Sequence, residues 1–548
     1  MTHAGSDRSA GRGWSAFLVG LVALAVFAPS LSNGFAYDDE VIVAADQRVH
    51  SLTHVAAIFT KGYWADSQLA LYRPLTTLSM AIDWSIGSGQ PAWFHLTNVL
   101  LHAAASVLAF LLLSRWFHGA AALAGGLIFA VHPVHVEAVA NVVGRSEMLA
   151  AIGVFGGALL WSFRPEEARA RLVRTIGVSV LFAVGLGAKE SAVVLLPLVA
   201  LVDLADQRLT LRTPMPWLRE NAGTLGVMLA VCLLWFGARY LVLGGIAPTR
   251  VDAVFDVASG TRERILTALQ AWPTWAGLLF APVTLLADYG PRVLTPITQP
   301  NALAVSGGFL AVALVVSGMI AAWRGNGRAA LSLLWFPVTI LPVSNLLVAT
   351  GVIVAERVLY VPSFVIAVVA AAAIARVTAP QAQGAPARSG RELALVTTAV
   401  IALLGARSIT RIPAWRSSDA VFAALARDRP DAFRAQWYLA RQARMRGDTA
   451  EALSRYELAI SLWPWRRRLA SEALRFAAET AAPQRTHQLA RLAVSLEPND
   501  VDAIRILAGT ALDMGDTATA RAAIRDGLEL EPDDDVFLRM RRALDTNR

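Results

Sequence analysis

The sequence predicts an all-α chain in two parts, a polytopic membrane domain and a helical-repeat solenoid behind it. Three observations carry this. Of 548 residues 55% are hydrophobic and only 16% charged, against about 25% charged in a typical soluble domain. Apolar runs recur along the first 410 residues with arginines between them. Beyond them Pro464, Pro498 and Pro532 recur every 34 residues, the tetratricopeptide period.

A span needs roughly 20 mostly apolar residues. The runs lie at 14–31, 96–113, 120–134, 148–162, 173–186, 192–204, 225–243, 303–322, 329–348, 358–374 and 393–406, so the reading is about eleven spans. The first follows Arg8 and Arg12 without an evident cleavage site and is read as an anchor. The segment 266–286 carries Pro273 and Pro282 and is read as a re-entrant or interfacial hairpin.

Arginines flank alternate loops, which orients the N-terminus to the cytoplasm and the solenoid outside it. The outer face then collects 33–91, 132–147, the Lys189–Glu190 turn, 244–300 and the 349–357 turn. Most polar residues capable of chemistry lie there. The net charge of +8 is arginine between spans and in the tail, which fits membrane orientation and no nucleic-acid partner. Cys232 stands alone, which excludes an intramolecular disulfide and a cysteine zinc site.

The expected domains are 1–410 in the membrane, a linker at 411–430 and three repeats at 431–548. In the first repeat Gly447, Asp448, Ala452, Tyr456, Ala459 and Pro464 take repeat positions; in the third Gly515, Asp516, Ala520 and Pro532 do; the middle one is degenerate. Such an array presents a surface for protein partners, or serves as a passive spacer.

Polar clusters mark the candidate site. Tyr37-Asp38-Asp39-Glu40 follows the first span. Adjacent carboxylates repel, and one placed near an acceptor hydroxyl can take its proton; a solvated loop start is the plainer alternative. His132-Pro133-Val134-His135-Val136-Glu137 leads to Asn141 and Arg145-Ser146-Glu147. Glu137 and Asn141 are spaced to share a helix face. The histidines complete no metal motif, so no metal and no cofactor are expected, and His135, Glu137, Asn141 and Arg145 are read as sugar or acceptor ligands. His95, Asn98 and His102 form a polar stripe on one helix, with His95 in the same role as Glu190. Arg73, Lys189 and Arg357 are candidate phosphate ligands, because uncompensated charge among apolar runs is costly.

Together NGFAYDDE, YRPLTTLSMAID, FHLTNVLLH, FAVHPVHVEAVANVVGRSEMLAA, GAKES and LPVSNLLVATGVIVAERVLYVPS, with the tail from AWRSSDAVF, resemble the transmembrane-and-tetratricopeptide O-mannosyltransferases of the GT-C glycosyltransferase class. The resemblance implies inverting transfer of mannose or a similar hexose from a polyprenyl-phosphate carrier to a protein hydroxyl, at the outer face. It matches Asp38 to the catalytic aspartate, with Asp39 beside it. The chain departs in its few repeats and in KES at 189–191, where KEQ is more usual. The arginine-rich composition, with Lys61 and Lys189 its lysines, points to a bacterial inner membrane and an undecaprenyl-like carrier. Two other readings predict different behaviour: a non-catalytic membrane scaffold, indifferent to Asp38, and a ligase or polymerase acting on lipid-linked glycans.

Overall fold

The computed structural model describes residues 3–64, 71–245, 254, 260–350, 352–378 and 390–546. Parts of the regions 33–91 and 244–300 expected on the outer face, residue 351 of the 349–357 turn and most of the arginine loop at 376–391 lie outside the described residues. Among those described there are helices and turns and no strand. The chain separates into two compact units, Met1–Tyr289 with Pro296–Val421, and Gly290–Thr295 with Phe422–Arg548.

The first unit contains α1 (His3–Phe27), α2 (Val55–Thr60), α3 (Pro74–Gly87), α4 (Pro91–Leu113), α5 (Gly119–Val131), α6 (Val136–Ala140), α7 (Arg145–Ser162), α8 (Ala168–Ala188), α9 (Leu195–Ala205) and α10 (Met215–Leu243). It continues with α11 (Thr261–Leu269), α12 (Ala271–Phe280), α13 (Ala302–Trp323), α14 (Gly327–Ile340), α15 (Phe364–Val377) and α16 (Gly390–Arg411). α17 (Ser418–Asp428) crosses the division. Each of the expected apolar runs contributes a helix, and the protein is a multi-pass membrane protein.

The expected spans differ in length. Among the described residues seven helices are long and apolar enough to cross, or eight if bent α5 and α6 count as one. The remaining runs form α9, α14 and α15, of 11, 14 and 14 residues. At 1.5 Å per residue even 14 residues reach about 21 Å, short of a roughly 30 Å hydrocarbon core. The segment 266–286 contributes α12 and part of α11, each too short to span.

The shortfall has a common cause. Several of these helices lose a turn next to the polar clusters: α5 stops at His132 and resumes through the 3₁₀ turn Pro133–His135, α9 follows the 3₁₀ turn Glu190–Val194, and Glu356–Leu359 precedes α15. Unwound backbone next to lipid leaves peptide groups unpaired unless protein covers them. Here residues 128–148 are buried without interruption. The helices around them approach closely. A Cβ on Gly153 of α7 would lie 2.6 Å from the Leu181 carbonyl of α8, a contact only a residue without a side chain allows.

The second unit is a row of helices: α18 (Phe433–Met445), α19 (Thr449–Leu462), α20 (Arg467–Thr480), α21 (Pro483–Leu496), α22 (Val501–Asp513), α23 (Thr517–Leu530) and α24 (Asp535–Thr546). Each packs on the next. Gly447 and Gly515 close α18 and α22 at φ +77° and +74°, where a side chain is strained. Asp448 and Asp516 then cap α19 and α23 by accepting amides at 3.0 Å. The α20–α21 turn lacks this Gly-Asp pair and enters α21 at Pro483, which is why the middle period is faint in sequence.

Candidate active site

The site begins where α1 runs out. Its last turn, Ala28–Ser32, leads into extended chain, and Tyr37 adopts φ +57°, costly for a bulky residue. Anchors hold it there. The Tyr37 amide donates to Ser418 Oγ at 2.8 Å and the Gly34 amide to the Arg416 carbonyl at 2.9 Å, while Ser418 donates to Glu40.

The conformation separates two adjacent carboxylates. Asp39 is fully buried and accepts the amides of Val143 at 2.8 Å, Val142 at 3.1 Å and Ala36 at 3.3 Å. Burial pushes its carboxyl up to about 7, with the three amides pulling the other way. Asp39 thereby pins the loop to the turn before α7. Gly144 lets that turn close, since a Cβ there would sit 2.2 Å from the Ala138 carbonyl. Asp38 keeps 20% side-chain exposure and faces Arg357, Oδ2 to Nη2, at 3.7 Å.

Arg357 is held by Glu137, whose Oε1 meets Nη1 at 2.6 Å and whose Oε2 accepts the Arg357 amide at 2.9 Å. Burial works against the guanidinium charge, but Glu137 and Asp38 raise its pKa overall. Glu356, its neighbour in the chain, points to other partners. It accepts the Leu286 amide at 2.5 Å and the Tyr289 hydroxyl at 2.9 Å.

The other expected phosphate ligands also carry carboxylate partners. Arg73 forms a two-pronged pair with Glu190, at 3.1 and 2.7 Å, and lies 5.4 Å from the Tyr63 ring centre. Lys189 pairs with Glu147. Burial favours the neutral amine of Lys189, and Glu147 opposes it. Glu147 also acts on Arg357 and Arg73, so Arg73, Lys189, Glu190, Glu137, Arg357 and Asp38 belong to one charged constellation.

The remaining candidates brace it. Arg145 is fully buried and binds Asn98 Oδ1 at 2.8 Å, the Phe94 carbonyl at 3.0 Å, Ser79 and Asp83. Asn98 in turn donates to the carbonyls of Val139, Asn141 and Val142. His95 reaches the Gly34 carbonyl at 3.1 Å, and His135 meets Ser363 Oγ at 2.8 Å. Glu137 and Asn141 do not share a helix face, because α6 stops at Ala140 and Asn141 is extended at ψ 124°. The Asn141 amide is buried with neither nitrogen nor oxygen hydrogen-bonded among the described residues. Asp83, Tyr63, Tyr289 and Ser363 were not singled out by sequence. Only Asp83, a carboxylate inside an apolar helix, carried a signal that could have been read.

No protein-family model matches the chain. It is 27% identical over 460 residues to the protein O-mannosyl-transferase TMTC4 of Homo sapiens, an alignment covering 75% of this chain and 61% of that protein. With F38B6.6 of Caenorhabditis elegans it shares 26% identity over 358 residues, 63% of this chain and 49% of that one. With TMTC2 of Mus musculus it shares 31% over 288 residues, 49% and 34%. The chain thus spans about three fifths of the length of the TMTC4 relatives. Among solved structures, ArnT from Cupriavidus metallidurans bound to undecaprenyl phosphate aligns at TM-score 0.40 and 16% identity, covering 86% of this chain and 81% of that one. Over three quarters of its length this chain is similar to the protein O-mannosyl-transferases of animals.

Proposed function

We propose that this protein is a glycosyltransferase that moves mannose or a similar hexose from a polyprenyl-phosphate carrier to a hydroxyl of a protein acceptor, at the outer face of the membrane. One observation carries the reading. Of the neighbouring carboxylates Asp38 and Asp39, Asp39 is consumed by backbone amides, while Asp38 stays accessible opposite a braced arginine.

The chemistry follows from that pair. The acceptor oxygen attacks the anomeric carbon from the face opposite the carrier. Its bond to the sugar forms as the bond from sugar to phosphate oxygen breaks. Asp38 takes the hydroxyl proton, and the lipid phosphate departs with the bonding electrons. Arg357 offsets the developing phosphate charge. Arg73, Lys189 and Arg357 each have a carboxylate partner, and Arg357 is the one that also faces Asp38. Asn141, with its amide unspent, suits a sugar hydroxyl. The repeats of the second unit are read as the recruiter of the protein acceptor.

The test is transfer by the purified full-length chain in detergent, from polyprenyl-phosphate mannose to envelope protein. Expected are hexose-bearing acceptors with wild type and none with Asp38→Asn. Unchanged glycosylation of proteins from cells lacking the chain would favour the scaffold reading.

A further inference from the structure

A second site lies at the far ends of the helices that carry the first. α7 starts at Arg145 and α8 ends at Ala188, both next to the charged constellation. Their other ends, Ser162 and Ala168, are roughly 27–32 Å away along the helix axes. Around the connection between them is an open cavity of about 570 Å³, lined among others by Leu160, Phe163, Arg164, Glu167, Arg169 and Arg174.

Its cations are not equivalent. Arg164 is neutralised by Asp203. Asp203 also accepts the indole N–H groups of Trp161 at 2.9 Å and Trp217 at 2.7 Å, and this fixes it on that side. Arg174 is only 8% exposed. One nitrogen donates to the Phe163 carbonyl at 3.2 Å, its guanidinium carbon lies 5.1 Å from the Trp161 ring centre, and its Nε has no hydrogen-bond partner among the described residues. Arg169 lines the same cavity from an exposed position. The opposing acids are Glu167 in the lining and Glu220, which acts on Arg174. With Arg164 held by Asp203, the lining leaves Arg169 and Arg174 against Glu167.

The wall beneath is apolar and continues down α8. Val173, Ile176 and Val180 are 63%, 53% and 54% exposed and, at i, i+3 and i+7, form one stripe. A buried cation with a donor to spare, above an apolar stripe facing lipid, matches a phosphate headgroup with its acyl chain attached. We infer that this cavity binds an anionic phospholipid, with the headgroup phosphate on Arg174 and Arg169 and a chain along Val173, Ile176 and Val180. Its leaflet is the one opposite the Asp38 site. Anionic lipid attracts such basic segments in general; the unspent Arg174 nitrogen makes this a defined site.

The experiment is native mass spectrometry of the full-length protein in detergent, titrated with phosphatidylglycerol, phosphatidylcholine or inorganic phosphate. Expected is retention of one phosphatidylglycerol in preference to phosphatidylcholine, unaffected by millimolar phosphate. Affinity should fall about tenfold in Arg174→Gln and in Arg169→Gln, the loss of one charge-assisted hydrogen bond each. If Arg174→Gln fails to fold, Arg169→Gln at its exposed position decides alone. Equal affinity in the variants, or equal retention of the two lipids, overturns the site. Displacement by inorganic phosphate overturns the lipid as its occupant.

Discussion

Glu137 holds Arg357 at two points, the guanidinium at 2.6 Å and the main-chain amide at 2.9 Å, with a single carboxylate. The two residues are 220 positions apart. The double contact sets side chain and backbone together, and it leaves Arg357 Nη2 at 3.7 Å from Asp38. That gap matters. In the proposed transfer a closed pair would hold Asp38 as a poor base, and a wider one would take the arginine away from a departing phosphate.

Glu137→Gln should therefore impair turnover without contacting substrate. Released from its main partner, Arg357 closes on Asp38. Transfer should fall about 10²-fold, the scale of general-base assistance, and Asp38 should titrate lower in the rate profile. Steady-state kinetics across pH would show both. A wild-type profile would mean that the grip does not set the gap.

Asp38→Asn and Asp39→Asn should separate cleanly. Asp38 is partly exposed, so its amide variant should unfold near the wild-type temperature yet transfer at least about 10²-fold more slowly. Asp39→Asn turns an NH₂ group or a weaker acceptor toward the amides of Val142, Val143 and Ala36. Leaving such buried donors unmet costs roughly 1–3 kcal/mol each. Its first effect should be on thermal stability. Equal stability of the two variants would contradict the buried anchor.

What could be read from sequence was what repeats or stays local. The apolar runs became helices because a membrane helix satisfies its own backbone, whichever neighbours it finds. The 34-residue period could be read in Gly447-Asp448 and Gly515-Asp516 because turn and cap are made within a few residues. Span lengths could not, since α5, α9 and α15 unwind only where other helices cover the freed peptides. The pairings were equally hidden. Arg73 and Glu190 are 117 residues apart, and Glu137 and Arg357 are 220 apart. Nor does the string Asp38-Asp39 reveal which carboxylate is spent, because that depends on the amides of Val142 and Val143.

Glu356 should make stability fall with rising pH. It is fully buried, and one of its oxygens has no partner among the described residues. Burial, with nearby Glu137 adding to it, pushes its carboxyl up to about 8, while Arg411, the Tyr289 hydroxyl and the Leu286 amide oppose the rise. A carboxyl raised on folding contributes stability that is complete below its unfolded value near 4.5 and lost as pH passes about 8. The unfolding temperature should decline across that window, by roughly 5 °C. Glu356→Gln, which keeps the neutral shape, should flatten the decline. Parallel curves for wild type and variant would remove Glu356 as the cause.

The pair of Lys189 and Glu147 allows structure to be separated from donor binding. Both side chains are almost completely buried. Removing one partner, as in Lys189→Met, strands the other charge and should cost roughly 3–5 kcal/mol. Removing both, as in Lys189→Met with Glu147→Leu, leaves an apolar contact of similar volume, and such replacements are often neutral in stability. The double variant should therefore unfold close to wild type while each single variant is destabilised. If Lys189 only braces the site, the double variant should also keep its donor KM. If it helps hold the lipid phosphate, the donor KM should rise about tenfold with the fold intact, the loss of one charge-assisted hydrogen bond, while the acceptor KM stays unchanged. The constellation predicts an intermediate result. Lys189 keeps only 5% side-chain exposure against 20% for Arg357, which faces Asp38, so the rise in donor KM should be smaller than that in Arg357→Ala. A larger effect at Lys189 than at Arg357 would reverse that order and make Lys189 the principal phosphate ligand.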